Sequence, residues 1–147
     1  MIAADCTLIA QLFLTTPETQ LAQGVMLADD VWLVPPLWRS EFRSVLGKYL
    51  LHRDLSLEQC IEITSVAEPR MSAGETAVSS LAVMSLVAAT RCSAYDAEYV
   101  SLAQSLSVPL VTSDRSLQKM FPSVAVSPVR FLSDLGVVPV VRANHEL

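Results

Sequence analysis

Four acids carry the chemical signal of this sequence: Asp5, Glu41, Asp96 and Asp114. Asp5 ends the short apolar run Met1-Ile2-Ala3-Ala4, and Asp114 follows Val108-Pro109-Leu110-Val111-Thr112-Ser113. Both positions read as the C-terminal edge of a buried strand, where open α/β sheets place their ligand sites. Glu41 falls inside an apolar helical face, between Trp38 and Val45 at helical spacing, and Asp96 falls at a helix start. Four carboxylates in one dry site repel one another enough to force protonation of several of them, unless cations are present. If the four converge, the sequence describes a divalent-metal site.

Three of the acids also have ordinary structural uses. Asp5 and Asp114 can cap helix N-termini, worth ~1 kcal/mol each. Asp96 can be the acidic member of a capping box opened by Ser93. Glu41 has no such use, because an unpaired buried carboxylate costs free energy. Its basic neighbours Arg39 and Arg43 are not at the three- or four-residue spacing that brings helical side chains together.

The elements that must position these acids alternate between short strands and longer helices. Residues 1–5 read as a strand, followed by a helix with Leu8, Ile9, Leu12 and Phe13 on its apolar face and a break at Pro17. Residues 18–30 read as a second helix, weakened by Gly24, and residues 31–34 as a second strand. Pro36 suits the first turn of a long helix over residues 37–52 with Trp38, Phe42, Val45 and Tyr49 on its inner face. Ser56, with Glu58 and Gln59 behind it, opens another helix that the sequence ends near Glu68-Pro69. Residues 75–90 read as helical, as does the segment from Ser93 to about Ser107, with Tyr99, Leu102 and Leu106 on one face. A strand near Leu110, a short helix over 116–120, a strand over 124–126 and a last turn over 130–135 complete the pattern. It predicts an α/β fold: one domain over residues 1–139, with a mainly parallel central sheet of four or five short strands flanked by helices. Residues 140–147 read as a loosely held tail.

Composition removes several function classes. Hydrophobic residues make up 52% and charged ones 17%, which argues against disorder. No apolar run reaches the ~18 residues of a membrane span; the stretch 77–89 is interrupted by Ser79, Ser80 and Ser85. The N-terminus lacks the basic segment of a signal peptide. Cys6, Cys60 and Cys92 are odd in number and widely spaced, which points to a reducing compartment and a cytoplasmic protein. Neither His52 nor His145 has a partner at zinc spacing. A net charge of −5 speaks against broad, passive nucleic-acid binding, but not against a nuclease whose metal carries the phosphate.

Taken together, the four acids and their surroundings resemble the PIN-domain family over nearly the whole chain. The segments that carry the resemblance are the N-terminal strand leading into Asp5-Cys6-Thr7, and Glu41 in Pro36-Leu37-Trp38-Arg39-Ser40-Glu41. The more specific ones are Ser93-Ala94-Tyr95-Asp96-Ala97-Glu98-Tyr99-Val100-Ser101-Leu102-Ala103 and Leu110-Val111-Thr112-Ser113-Asp114-Arg115-Ser116-Leu117. Cys6 is a mild departure, where the family more often has a small hydroxyl residue. The resemblance implies an Mg²⁺- or Mn²⁺-dependent ribonuclease, with Asp5, Glu41 and Asp96 as metal ligands, directly or through water. Asp114 would be a second-metal ligand or an orienter of the attacking water.

Thr7 and Thr112 would support the carboxylates, or serve only as capping and strand hydroxyls. Arg39, Arg43 and Arg115 could hold RNA phosphates or be ordinary surface charges. Glu98, two residues after Asp96 on a helix, reads as pointing away into solvent. At this length the chain most resembles VapC-type toxins of bacterial toxin–antitoxin pairs. That likeness implies an antitoxin partner over an apolar groove drawing on Trp38, Leu46, Leu50 and Leu51, and a homodimer. The competing readings are a stand-alone PIN ribonuclease in RNA processing and a catalytically silent binding module of the same fold. A phosphatase or receiver-type domain is weaker, because Asp5 has no second acid in its loop and Lys119 is the only late lysine.

Overall fold

Residues 1–140 are described by the computed structural model; the predicted tail over 140–147 lies outside them except for Val140. Strand β1 (Ile2–Ala4) runs into α1 (Cys6–Phe13) and α2 (Thr19–Ala28), then β2 (Trp32–Leu33), α3 (Trp38–Leu51) and α4 (Leu57–Ser72). Helices α5 (Ser80–Thr90) and α6 (Ala94–Leu106) precede β3 (Leu110–Val111), α7 (Arg115–Met120), β4 (Ala125–Val126) and α8 (Pro128–Asp134). The fold is α/β, with one sheet of four parallel strands in the order β2-β1-β3-β4.

That order decides where a site can form. The chain leaves β1 for β2 on one side and later returns to β3 on the other side. The connections diverge between β1 and β3, so a crevice opens outside the C-terminal ends of these two strands. Asp5 follows β1 immediately, and Thr112 and Asp114 follow β3.

Strand alternation divides the core between the two faces of the sheet. Ile2, Ala4 and Val111 face a cluster with Leu8, Ile9, Val25, Trp38, Phe42, Met71 and Leu132, so α1 to α4 and α8 cover this side. Ala3, Leu110 and Ala125 face Val83, Ala97, Val100, Ala103, Leu117 and Phe121, so α5 to α7 cover the other. Strands buried on both faces read as short continuous apolar runs, as here. On α3 the buried residues Trp38, Phe42 and Leu46 recur at four-residue spacing, which turns Glu41 to the border of the buried face.

Two boundaries differ most from the sequence expectation. Helix α4 does not end at Glu68-Pro69 but continues through Pro69 to Ser72. Proline removes one helical hydrogen bond, yet Ala67 and Met71 on either side of it are buried in the core, and their packing prevails. Helix α5 begins at Ser80, not near Glu75, because residues 74–76 are drawn into the edge of the sheet. Val34 N–H donates to the Gly74 carbonyl and Thr76 N–H donates to the Val34 carbonyl, so Glu75 bridges to Val34 in parallel. The approach is so close that a Cβ on Gly74 would lie 1.8 Å from the Trp32 carbonyl oxygen. Ser79 then caps α5 through the Ala82 N–H.

Candidate active site

Asp5 is the N-cap of α1 and is buried at 4% exposure. Its Oδ1 accepts from the Thr7 hydroxyl at 2.7 Å and the Leu8 N–H at 3.1 Å, and its Oδ2 accepts from the Thr112 hydroxyl at 2.5 Å. The Thr7 oxygen in turn accepts the Ser113 N–H, and the Thr112 oxygen accepts the Asp114 N–H at 2.9 Å. Both threonine hydroxyls therefore hydrogen-bond the Asp5 carboxylate. Asp114 caps α7 by accepting the N–H groups of Ser116 and Leu117 through Oδ1. Capping and a place in the acid cluster are thus compatible for both residues.

Glu41 enters from α3, half-buried, and its Oε2 accepts from the Tyr99 hydroxyl of α6 at 3.4 Å. Asp96 stands one turn before Tyr99 on the same helix. Ser93 caps α6 through the Asp96 N–H at 3.0 Å, but the reciprocal bond of a capping box, from the Ser93 N–H to the Asp96 side chain, is not made. The true capping box is at α4, between Ser56 and Gln59.

The electrostatics show that the four acids share one neighbourhood. Burial raises the Asp5 pKa; the hydrogen bonds from Thr112, Thr7 and Leu8 oppose the rise, and the charge of Asp114 adds to it. Burial pushes the Glu41 carboxyl up to about 7, with Asp5 the next cause; Asp96 and Glu98 add to it and the Tyr99 hydroxyl opposes it. Asp96 is raised by burial and by Asp114, while Ser93 works against the rise. Repulsion thus closes a ring: Asp5 with Glu41, Glu41 with Asp96, Asp96 with Asp114, and Asp114 with Asp5. Among the described residues none of these four forms a salt bridge; the acids that do are Asp29, Glu68, Glu75 and Asp134.

Cys6, in the first turn of α1, is buried close to Asp5 and Glu41. A helix N-terminus favours a thiolate, but burial, then Glu41 and Asp5, push its thiol up to about 12. Burial and these neighbouring charges disfavour the thiolate. Glu98 departs from the solvated reading: it is half-buried and close enough to raise the Glu41 pKa. Arg39 and Arg43 are turned away from the acids. Arg39 pairs with Glu75 and Glu68, and Arg43 with Glu68, on the α4 side of α3. Hydrogen bonds from Arg39 and Trp38 outweigh the burial of Glu75 and lower its pKa. Arg115 is exposed beside Asp114 and pairs with no acid among the described residues.

Mg²⁺ and Mn²⁺ take hard oxygen ligands, and this donor set consists of carboxylates and hydroxyls, with no competing cation among the described residues. Among the described residues no three His, Cys, Asp or Glu side chains are disposed to hold one ion directly. A cation held here would have to keep several waters and use one or two carboxylates directly, as Mg²⁺ usually does.

Trp38 is wholly buried in the core and so does not contribute to an open groove surface. Leu46 and Leu50 line the floor of a shallow cleft of about 210 Å³ between α3 and α4 with Cys60 and Ile61, and Leu51, Leu57 and Ile61 are exposed near it. A larger cleft of about 850 Å³ runs along β4, lined by Gln104, Gln118, Arg130 and Phe131, and none of the four acids borders it. Among the described residues no helix is long and apolar enough to cross a membrane.

Sequence reasoning missed Tyr99 as a polar partner, because its spacing marked it only as part of an apolar face. It also missed the bond from the Ser113 hydroxyl to Gln11 Oε1 at 2.9 Å, which adds to the tie between the β3 loop and α1.

No family model matches the sequence, and no curated protein matches it. Its fold is similar to solved structures. One is the crystal structure of PAE2754 from Pyrobaculum aerophilum, with TM-score 0.72 at 16% identity, covering 92% of this chain and 88% of that one. Another is the crystal structure of FitAcB from Neisseria gonorrhoeae, with TM-score 0.66 at 16% identity, covering 87% of this chain and 98% of that one. At such identity the likeness speaks for the fold.

Proposed function

We propose that this chain is a PIN-type endoribonuclease that hydrolyses RNA with Mg²⁺ or Mn²⁺, and that it is the toxin of a VapBC-type toxin–antitoxin pair. The observation that carries the reading is the ring of four mutually repelling carboxylates, without a cationic partner among the described residues, at the crevice between β1 and β3. Asp5, Glu41 and Asp96 hold the cation, in part through water, and Asp114 serves as the fourth acid. A bound divalent cation supplies charge for the scissile phosphate and makes a water more acidic. Thr7 and Thr112 keep the Asp5 carboxylate in place. Arg115 takes a neighbouring phosphate from the first turn of α7. The exposed apolar residues Leu51, Leu57 and Ile61 near the α3–α4 cleft support an antitoxin site. The exposed Leu81 and Met84, in a stretch without charge from residue 76 to 90, support a homodimer.

Cleavage of total RNA with Mn²⁺, with excess EDTA, and by Asp5→Asn tests the chemistry. The reading expects cleavage only in the first case. Expression of wild type and Asp5→Asn at matched soluble levels, with no antitoxin present, tests the biological part. Growth arrest by the wild type alone supports the toxin. Equal growth with intact cleavage in vitro would favour a stand-alone RNA-processing enzyme, and absence of cleavage would favour a silent module.

A further inference from the structure

We propose that Tyr99 is the positioning residue for Glu41: its hydroxyl holds one carboxylate oxygen so that the other is presented to the cation. The proposal rests on the metal-dependent ribonuclease reading above. Each of the other acids that needs fixing is fixed by donors from its own surroundings. Asp5 has Thr7, Leu8 and Thr112, and Asp114 has two N–H groups of α7. Glu41 has the longest side chain of the four and its rotamer freedom is the most costly to lose. Among the described residues the single hydrogen-bond partner of its carboxylate is Tyr99, 58 positions away in sequence, and its Oε1 has none. Without that donor, repulsion from Asp5 and Asp96 would swing Glu41 away from the place where a shared cation must sit.

Tyr99 is built for the task. Its ring is 2% exposed and packs with the residues of the α5–α7 core, so its position is set by packing and not by the bond it makes. A core position alone would be served by Phe; a buried Tyr needs an acceptor for its hydroxyl. Among the described residues that acceptor is Glu41. The separation of 3.4 Å is long for an O–H···O bond, so what the contact supplies is direction more than strength. Asp96 and Tyr99 lie three residues apart on one face of α6. This one helix therefore carries one acid of the site and the hydroxyl that orients a second acid on α3.

Calorimetric titration with Mn²⁺ tests this on wild type, Tyr99→Phe, Glu41→Gln and the double variant, with circular dichroism confirming the fold of each. Tyr99→Phe removes one oxygen and retains the ring, so the core is kept. Mn²⁺ affinity is expected to fall roughly 10-fold, the lower end for loss of a group that orients a ligand. In the Glu41→Gln background the same change is expected to have no further effect. The Mn²⁺ concentration for half-maximal cleavage should rise by the same factor. A merely structural Tyr99 would lower the melting temperature and leave Mn²⁺ affinity unchanged; that result overturns the proposal, as does an equal loss with and without Glu41. Wild type that binds no Mn²⁺ overturns the ribonuclease reading itself, and the role of Tyr99 with it.

Discussion

The Thr112 hydroxyl donates to Asp5 Oδ2 across 2.5 Å and so fastens the C-terminal end of β3 to that of β1. The same oxygen accepts the Asp114 N–H. One short side chain therefore sets the spacing between the first and fourth acids, and replacing it should disturb both.

Thr112→Val keeps the shape and removes the hydroxyl. Asp5 loses a donor in a place where water cannot replace it, and the Asp114 N–H loses its acceptor. The expected cost is about 1–3 kcal/mol of stability, together with a marked loss of cleavage. Urea denaturation in EDTA, run beside the RNA assay, measures both; an unchanged midpoint would mean that the bond contributes nothing net.

Asp96→Asn should lose most cleavage yet keep the fold. The Ser93 cap survives, because it uses the Asp96 N–H and not its side chain. Without metal, the change also relieves a carboxylate that burial and Asp114 hold above its usual pKa, so the melting temperature in EDTA should rise. A lower melting temperature with intact cleavage would reduce Asp96 to a capping role.

Stability of the metal-free protein should fall as pH rises through the Glu41 window. Glu41 titrates near 4.5 in the unfolded chain and at about 7 in the folded one. Between these values the folded state binds the extra proton, so the slope of stability against pH is negative there. The contribution is fully present below the unfolded value and gone above the folded one. Asp5 and Asp96 are raised too and act in the same direction; Glu75, which is lowered, acts in the opposite sense. Melts across this range in EDTA should show the decline, Glu41→Gln should flatten it, and saturating Mn²⁺ should do likewise. A Glu41→Gln variant with the wild-type slope would place the titration elsewhere.

Two glycine replacements should have opposite signs. Gly74→Ala forces a Cβ against the backbone of Trp32, so the 74–76 segment must move away from β2, at a cost of about 1–3 kcal/mol. It also loosens Glu75, which holds Trp38 and Arg39. Gly47→Ala, in the interior of α3 with open space around the new methyl, should stabilise by about 0.5–1 kcal/mol. Denaturant midpoints of the two variants give the comparison directly.

Much of this molecule follows from local pattern. The apolar runs before Asp5 and around Leu110 are strands because short β-branched and apolar stretches between turn signals bury both faces, and the order of strand and helix specifies the parallel sheet. The place of Asp5 and Asp114 at strand ends, and of Thr7 and Thr112 beside them, follows from the same reading. What local pattern does not contain is the outcome of competition between distant groups. Pro69 argues for a helix end, yet burial of Ala67 and Met71 carries α4 past it. Glu75 reads as helical, yet Val34 claims the segment for the sheet edge. Helical spacing already separates Arg39 and Arg43 from Glu41, yet it does not name the partners, Glu68 and Glu75, that neutralise them on the other side of α3. Tyr99 and Glu41 meet only because α3 and α6 approach each other from opposite faces of the sheet at its C-terminal end. Side-chain periodicity is a local property and the sequence displays it; charge pairing, register and the meeting of acids depend on packing free energy summed over the whole chain, and the tertiary structure alone decides them.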